Sequence, residues 1–340
     1  MNEASTQLRH HQKKPLRQRA GQLDQGMLVL VLTAVLVVVG AASSSGFLTA
    51  GNLSIVLQLT LGFGILAVGE ATVVLAKGVD LSIAAVTAVS GLVTLELMQR
   101  GVSEPVAILA MVVAALLMGT LNGVLVAYAG IPALFATLGT GSLYLGGVTV
   151  WLLDSNIYTL PADSFVAGLT EGTVFGLPAY FLVGALVFVG GWFMWNYTTF
   201  GRMLRAMGDN PETARLNGQP DRPILVTAYI LSSSLAVLAG YILLSLYGSV
   251  LTTGSAFSPL LFTTLTVVVI GGVSLSGGRG TMLGIVAGTA FVGVMDNLLT
   301  LHSFSSAFED LTRGTVLLGA IAFDAWLHPR DEETSKSEDL

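Results

Sequence analysis

Apolar residues occur along this chain in long blocks that short polar segments separate. A helix needs about 20 mostly apolar residues to cross the hydrocarbon core of a bilayer. About ten blocks approach that length, and an all-α polytopic transmembrane bundle is therefore predicted over 26–327. The eighth block is short, so a re-entrant or broken helix is an alternative there. The predicted spans are 26–45, 53–76, 81–98, 105–129, 132–153, 178–197, 223–247, 259–273, 281–301 and 308–327.

Basic residues lie mostly on one side of these predicted spans. Segments 1–25 and 198–222 carry most of the Lys and Arg, and only Arg100 and Arg313 fall on or near the other side. Cytoplasmic loops of membrane proteins carry an excess of Lys and Arg. With ten crossings, this distribution predicts both termini in the cytoplasm, with a basic tail over 1–25 and an acidic tail over 328–340.

The first apolar block is predicted to stay attached as a signal anchor. Small residues at 41–45 could imitate a cleavage site, but a basic flank followed by many further spans favours retention.

On the side of the membrane opposite the basic segments, segment 154–177 carries three acidic residues and no basic one. It is predicted to be the longest external loop.

Composition supports a membrane protein and removes several functional classes. Hydrophobic residues make up 53% of the chain and charged residues 11%, whereas soluble domains carry about a quarter charged residues. The chain has no cysteine and a formal charge of -6, so a thiol nucleophile is excluded and a nucleic-acid partner is not expected. No metal site is predicted, because the four histidines lie in tails or at span boundaries. The chain also has no G-x-x-x-x-G-K-[ST] string, so energy must come from another subunit or from a gradient.

The loop 198–222 is too polar to span and has the pattern of two short helices. In the first, four apolar residues follow the i, i+3, i+4, i+7 spacing of one helical face, which predicts a piece lying along the inner membrane surface. These residues are Phe200, Met203, Leu204 and Met207.

The second piece predicts a short helix from Pro211 to Asn217. Asp209 or Asn210 can cap it, Pro211 suits its first turn, and Glu212 would complete a D-x-x-E box from Asp209. Gly218 is placed to end it. A well-capped connector is one interpretation. A docking helix for a soluble partner is the other, because so short a helix needs another surface to stabilise it.

The string TTFGRMLRAMGDNPETARLNG, 198–218, closely resembles the cytoplasmic loop of the ribose-type permeases of ABC importers. Three further segments agree in order: KGVDLS at 77–82, with Lys77 where the family usually has glycine, PALFATLGTGSLYLGG at 132–147, and GGVSLSGGRGTMLGIVAG at 271–288. Together they cover most of the chain.

The resemblance implies a non-catalytic permease subunit of a bacterial inner membrane importer for a monosaccharide or related solute. The implied partners are ABC ATPase subunits, which bind ATP and Mg, a periplasmic or extracellular solute-binding protein, and a second permease, identical or paralogous. No cofactor is expected on this chain. In this picture the second helix of the loop is the coupling helix, and the residues expected to couple it to the ATPase are Arg205, Gly208, Asn210, Pro211, Glu212, Ala214, Arg215 and Gly218.

The glycine-rich segment predicts a structural role. GGRGTMLG at 277–284 is close to a dinucleotide-binding fingerprint, but its spacing is wrong and no βαβ unit surrounds it. A tight cytoplasmic turn that enters a helix is the favoured interpretation. The G-x-x-x-G pair at its end predicts close helix contact. The glycines of this motif are Gly271, Gly272, Gly277, Gly278, Gly280, Gly284 and Gly288.

A few polar residues lie inside the predicted spans and are candidates for the translocation path. Glu70 is the most buried charge expected; it could be protonated, paired or beside the path. Most of the neutral groups are expected to form interhelical bonds, and one or two to line the path. The candidates are Gln58, Glu70, Asn122, Thr137, Thr140, Tyr144 and Asn297.

Other charged residues are expected near span ends. Glu96, Asp296 and Asp324 are placed at headgroup level in preference to a path role. Arg313 follows Glu309 by four residues and Asp310 by three, which is the spacing of helical ion pairs.

Two other functional classes stay open. An ion-coupled secondary transporter or channel would explain the spans, but such carriers generally keep carboxylates or broken helices at mid-membrane, and only Glu70 fits. A membrane enzyme would need an assembled catalytic set, which the sequence does not supply.

Overall fold

The structure is a computed structural model that describes residues 15–252 and 257–327. It is mostly helical, with four short strands between helices. The helices are α1 (Pro15–Ser43), α2 (Ala50–Leu75), α3 (Ile83–Gln99), α4 (Glu104–Ala127), α5 (Ala133–Trp151), α6 (Gly168–Glu171), α7 (Ala179–Tyr197), α8 (Thr199–Asp209), α9 (Pro211–Leu216), α10 (Asp221–Tyr247), α11 (Phe257–Ile270), α12 (Met282–Leu301) and α13 (Ser306–Leu327).

Each predicted span coincides with one of these helices, within a few residues except at the start of α1. Seven of the described helices are long and apolar enough to cross a membrane: α1, α2, α4, α5, α7, α10 and α12. Helices α3 and α11 are apolar but shorter. Helix α13 has the length, but it carries Glu309, Asp310, Arg313 and Asp324.

The strands are a feature that the sequence analysis did not predict. β1 (Ile157–Thr159) pairs antiparallel with β4 (Ser249–Leu251), and β2 (Thr173–Val174) with β3 (Leu177–Pro178). The turn of the second hairpin, Phe175 and Gly176, has positive φ at both residues, as a two-residue primed turn requires. Both sheets involve the predicted external loop 154–177, so this loop is folded.

Helix α2 lies at the centre of the bundle. From Leu61 to Leu75 every residue is buried, which is the pattern of a helix surrounded by others. Helices α7, α10, α11 and α12 pack around it, while α4 packs against α10 and α1 against α12.

Small residues allow the closest of these contacts. A Cβ added at Gly119 or Gly123 of α4 would lie 2.6 Å from a backbone Cα atom of α10, at Ile230 and Val226 respectively. This is a small-xxx-small interface of the kind that membrane helices use. It fixes the distance between α4 and the central part of the bundle.

Candidate functional site

The two predicted helices of the polar loop are present as α8 and α9. Thr198 caps α8, since its hydroxyl accepts from the Gly201 N–H at 3.2 Å. Leu204 and Met207 are buried, and α8 packs against α2, α7 and α10. The predicted apolar face is therefore present, and it packs against the bundle; a position along the inner membrane surface stays a prediction.

Arg205 ties α8 to two neighbouring segments. Its guanidinium donates to the carbonyl oxygens of Trp195 at 3.1 Å and of Gly280 at 3.4 Å. Burial lowers the pKa of Arg205 from its ordinary value, although arginine stays protonated in proteins. Because both acceptors are backbone oxygens, Arg205 anchors the position of α8 without needing an acidic partner.

Helix α9 begins at Pro211 and ends at Leu216, one residue before the predicted end. Asn210 is the cap, because its Oδ1 accepts from the Thr213 N–H at 2.9 Å. Asp209, the alternative cap, is the last residue of α8, so the predicted box between Asp209 and Glu212 was wrong. Gly218 has a φ of 73°, which favours glycine after a helix C-terminus.

One face of α9 is anchored and the others are exposed. Ala214 is 4% exposed, whereas Leu216 is 84% exposed. Arg215 pairs with Asp221 at the start of α10 over 2.6 Å. Leu216 was missed by sequence reasoning, although a lone leucine in a polar capped helix is a signal. Leu216 is therefore an isolated apolar side chain on the exposed surface of a short, fixed helix.

The glycine-rich segment forms the predicted turn into α12. Gly272, Gly277 and Gly278 have positive φ values of 74°, 86° and 74°. Thr281 caps α12, accepting from the Gly284 N–H at 3.0 Å. Helix α12 then packs against α11 without intervening side chains: a Cβ at Gly284 would lie 1.9 Å from Gly271 O, and one at Gly288 would lie 2.5 Å from Val267 O.

This turn packs against α8 and the end of α2 through backbone atoms. The Gly278 N–H donates to Leu75 O at 3.0 Å, at the end of the central helix. A Cβ at Gly208 would lie 2.0 Å from Leu75 O and 2.2 Å from Gly278 N. Contacts among Gly208, Gly278 and Leu75 thus hold α8, which leads directly into α9, against the core of the bundle.

Helix α2 ends at a tight reversal. Lys77 has a φ of 66°, and the N–H groups of Lys77 and Gly78 donate to Val74 O at 2.9 Å and Val73 O at 3.1 Å. This is the Schellman pattern, in which glycine is usual at the position of Lys77. The reversal turns the chain back into the protein and places Asp80 in the interior.

Asp80 is the centre of a buried polar cluster. It is fully buried. Its Oδ1 accepts from the Ser82 N–H at 3.1 Å and the Ser82 hydroxyl at 2.6 Å, and its Oδ2 accepts from the Ser232 hydroxyl at 2.8 Å. Glu70 is also fully buried; its Oε1 accepts from the Asp80 N–H at 3.1 Å, and its Oε2 has no hydrogen-bond partner among the described residues.

Five of the seven predicted path residues belong to this cluster. Asn122 donates to the Ser82 hydroxyl at 2.7 Å and accepts from Thr140 at 2.5 Å. Tyr144 lies 3.3 Å from the same Asn122 oxygen, and Thr137 accepts from the Leu81 N–H at 3.0 Å. With Glu70, these residues connect α2, α3, α4, α5 and α10. Asp80 was missed as a site residue, although a carboxylate between two apolar blocks was the available signal.

The other two predicted path residues lie apart from the cluster. Gln58 donates to Thr170 at 2.6 Å, Ser245 at 3.0 Å and Ile242 O at 3.1 Å. Asn297 exchanges two amide hydrogen bonds with Asn52, at 2.9 and 3.0 Å. Both residues therefore link helices through hydrogen bonds, as was expected for most of the set.

Two ionic groups lie at the end of the bundle opposite α8 and α9. The Glu96 carboxylate accepts from Arg100 and from the Tyr158 hydroxyl. Arg313 contacts Asp296 at 3.2 Å, Glu309 at 3.1 Å and Asp310 at 3.2 Å. The two ion pairs predicted within α13 are confirmed, and Asp296 joins them from α12. No cluster of three or more potential metal ligands occurs in residues 15–252 and 257–327.

Comparison with known proteins gives a consistent group of relatives. A family model described as the permease component of branched-chain amino acid transport systems matches residues 52–321. The "Autoinducer 2 import system permease protein LsrC" of Salmonella typhi is 33% identical over 302 residues, which cover 88% of this chain and 85% of that protein. The protein of the same name from Shigella flexneri is 35% identical over 304 residues, covering 87% of each. No solved structure matches the chain.

Proposed function

This chain belongs to the permease components of monosaccharide-type ABC importers, and we propose that it forms the translocation path for a monosaccharide or related small solute while separate ATPase subunits drive transport. It is a multi-pass membrane protein, and the proposal places it in the bacterial inner membrane. The observation that carries the proposal is α9, a short capped helix with exposed Leu216 and Arg215, fixed to the bundle through α8.

The proposed topology has ten crossings and both termini in the cytoplasm. Helices α3, α11 and charged α13 then count as spans beside the seven helices that are long and apolar enough to cross a membrane. This arrangement supports a cytoplasmic position for α8 and α9 and an external position for 154–177. It agrees with the distribution of Lys and Arg along the chain.

The proposed assembly contains two permeases, identical or paralogous, two ATPase domains that bind ATP and Mg, and a solute-binding protein on the outer side. When ATP binding closes the ATPase domains, they move α9. Helix α8 transmits this movement to the end of α2 and the start of α12. Switching between two packed arrangements then alternates the opening of the path. Since the relatives are named for autoinducer 2 import, autoinducer 2 is the first solute to assay.

Leu216→Glu should reduce the amount of ATPase that co-purifies with the tagged full-length chain from mild-detergent membranes. Full burial of a leucine side chain contributes about 1.5 to 3 kcal/mol, roughly a tenfold to 150-fold change in affinity. The measurement is mass spectrometry and quantitative blotting of the co-purified P-loop ATPase. Leu177→Glu, on β3 at the other end, is the matched control and should leave recovery unchanged. Recovery of the chain alone, still transporting, would reject the importer assignment.

Charge reversal at Arg215 should uncouple ATP hydrolysis from uptake. Because Arg215 pairs with Asp221, the double variant Arg215→Asp with Asp221→Arg keeps the pair with its charges exchanged. It therefore distinguishes two roles of Arg215, holding α9 against α10 and contacting the ATPase. Restored uptake in the double variant would assign Arg215 to holding α9 against α10, and uptake still lost would assign it to contact with the ATPase. Normal coupled uptake in Arg215→Asp alone would show that Arg215 is not needed for coupling. Both rates are measured in proteoliposomes that contain the complete transporter.

An ion-coupled secondary transporter remains the second candidate function. The buried Glu70 oxygen that has no described partner favours it, because buried carboxylates in membrane proteins mark ion and proton pathways. A test with Glu70→Gln is given in the Discussion.

A further inference from the structure

A cavity of about 270 Å³ lies between α2, α3, α10, α11, α12 and α13. It extends from Val250 in β4, at the bundle end opposite α9, to Phe63, halfway along α2. Ligand pockets of proteins have volumes of about 300 to 1,000 Å³, mostly apolar walls and a few placed polar groups. This cavity falls just below that range, so its size suits a small solute.

The wall has the composition of such a pocket. Leu243, Leu244 and Leu260 supply apolar surface, and Tyr247 adds an aromatic ring. Thr263 contributes a hydroxyl group, and the ion pair of Asp296 and Arg313 forms the charged part of the wall. Aromatic and apolar faces with a few donors and acceptors match a molecule that has both C–H and O–H groups.

The ion pair also restricts the charge of the ligand. Each of the three guanidinium nitrogens of Arg313 already contacts a different carboxylate, from Asp296, Glu309 or Asp310. The group therefore holds three acidic residues for one basic residue, and its field is negative. An anionic solute would have to displace a carboxylate and would be repelled by the others. A neutral solute can donate to Asp296 without breaking the pair.

The position of this pair favours a role in addition to a structural one. Burying an ion pair costs desolvation energy that its attraction often does not recover. Charged residues in membrane-spanning regions usually face an interior path or cavity. Asp296 and Arg313 have side chains that are 8% and 11% exposed, and they line the cavity where a path would begin.

From this geometry we propose that the cavity is a binding site for a neutral polyhydroxylated solute, with Asp296 accepting hydrogen bonds from its hydroxyl groups and Tyr247 packing on its C–H surface. This inference rests on the proposed transport function, since it assigns the solute class and the outer part of the path. It predicts discrimination against phosphorylated sugars and other anionic solutes.

The absence of cysteine from the chain allows a direct test on the purified full chain. A Cβ at Gly91 would lie 3.5 Å from Leu244 and 3.7 Å from Val250, which are ordinary contacts, so Gly91→Cys places a single thiol in the cavity. Its rate of labelling by a membrane-impermeant maleimide is measured in nanodiscs. Gly168→Cys on α6, with nothing within 4 Å of its Cβ, is the control thiol.

Ribose and ribitol should each slow labelling at Gly91→Cys and leave Gly168→Cys unchanged. Protection follows occupancy, so a sugar at about ten times its Kd slows labelling about tenfold. Ribose 5-phosphate should give no protection. Absence of protection by both neutral probes, or equal protection by ribose 5-phosphate, overturns the proposal.

Two further variants separate binding from structure. The pair Asp296→Asn with Arg313→Gln removes the two most buried charges together, leaves only the more exposed Glu309 and Asp310 without their arginine, and should abolish protection. Ala88→Leu narrows the cavity without touching the pair and should weaken protection, while Ala110→Leu on the exposed face of α4 should not. Protection that persists in both cavity variants overturns the assignment. Because no ATPase is needed, this result is independent of the co-purification experiment.

Discussion

Gly208→Val should abolish coupled solute uptake. Any Cβ at this position would lie 2.0 Å from Leu75 O and 2.2 Å from Gly278 N, and both are backbone atoms that cannot rotate away. The side chain must therefore push α8 from the end of α2 and from the glycine turn. Overpacking of this kind typically costs about 1 to 3 kcal/mol, occasionally more.

The loss should appear in transport because α8 carries α9. The hydrogen bond from the Gly278 N–H to Leu75 O, 3.0 Å long, joins the two backbone atoms that a Cβ at Gly208 would approach. If this contact opens, movement of α9 no longer reaches α2 and α12. ATP hydrolysis by the co-reconstituted ATPase should then continue with little uptake.

The measurement compares ATP-driven uptake and ATPase rate in proteoliposomes at equal permease content. Gly190→Val on α7 is the matched control, because a Cβ there meets nothing within 4 Å. Uptake by Gly208→Val comparable with that of Gly190→Val would show that the backbone contact does not carry the coupling. Gly208→Ala should show a smaller loss in the same direction.

The sequence was sufficient to predict where the helices lie, because membrane spans depend on long apolar blocks that need no tertiary information. Helices occur at all ten predicted positions. The capped helix at Pro211 was also predicted, since Asn, Pro and Gly act locally on the backbone. The short strands were not, because two- and three-residue pairings depend on which segments the fold brings together.

The buried cluster shows why site residues were harder to predict. Asn122, Thr140 and Tyr144 come from two helices, and their meeting with Ser82 and Asp80 depends on packing that periodicity does not determine. Asp80 was overlooked because it lies between two apolar blocks, a position that sequence analysis assigns to a loop. Its burial follows from the reversal at Lys77, which returns the chain to the interior. Whether these residues line the path stays a prediction.

Asp80→Ala should strongly reduce the amount of folded protein in the membrane. The substitution removes the acceptor of the Ser82 N–H and of the hydroxyl groups of Ser82 and Ser232. Each buried group left without a partner costs about 1 to 3 kcal/mol, so the total is comparable with the stability of many domains. Asp80→Asn keeps an acceptor oxygen and should lose less. Thermal denaturation in detergent and the level of inserted protein measure the difference, and wild-type values for Asp80→Ala would contradict it.

Glu70→Gln should have a far smaller effect and decides between the two candidate functions. Its Oε1 can still accept from the Asp80 N–H, and its amide group takes the place of the oxygen that has no described partner. An ABC permease should keep ATP-dependent uptake close to wild type, because its energy comes from the ATPase. A carrier driven by a proton gradient should lose uptake, because the amide does not exchange a proton at physiological pH. Two results together would therefore favour the carrier: Glu70→Gln abolishes uptake at a normal protein level, and uptake by the wild type does not depend on ATP.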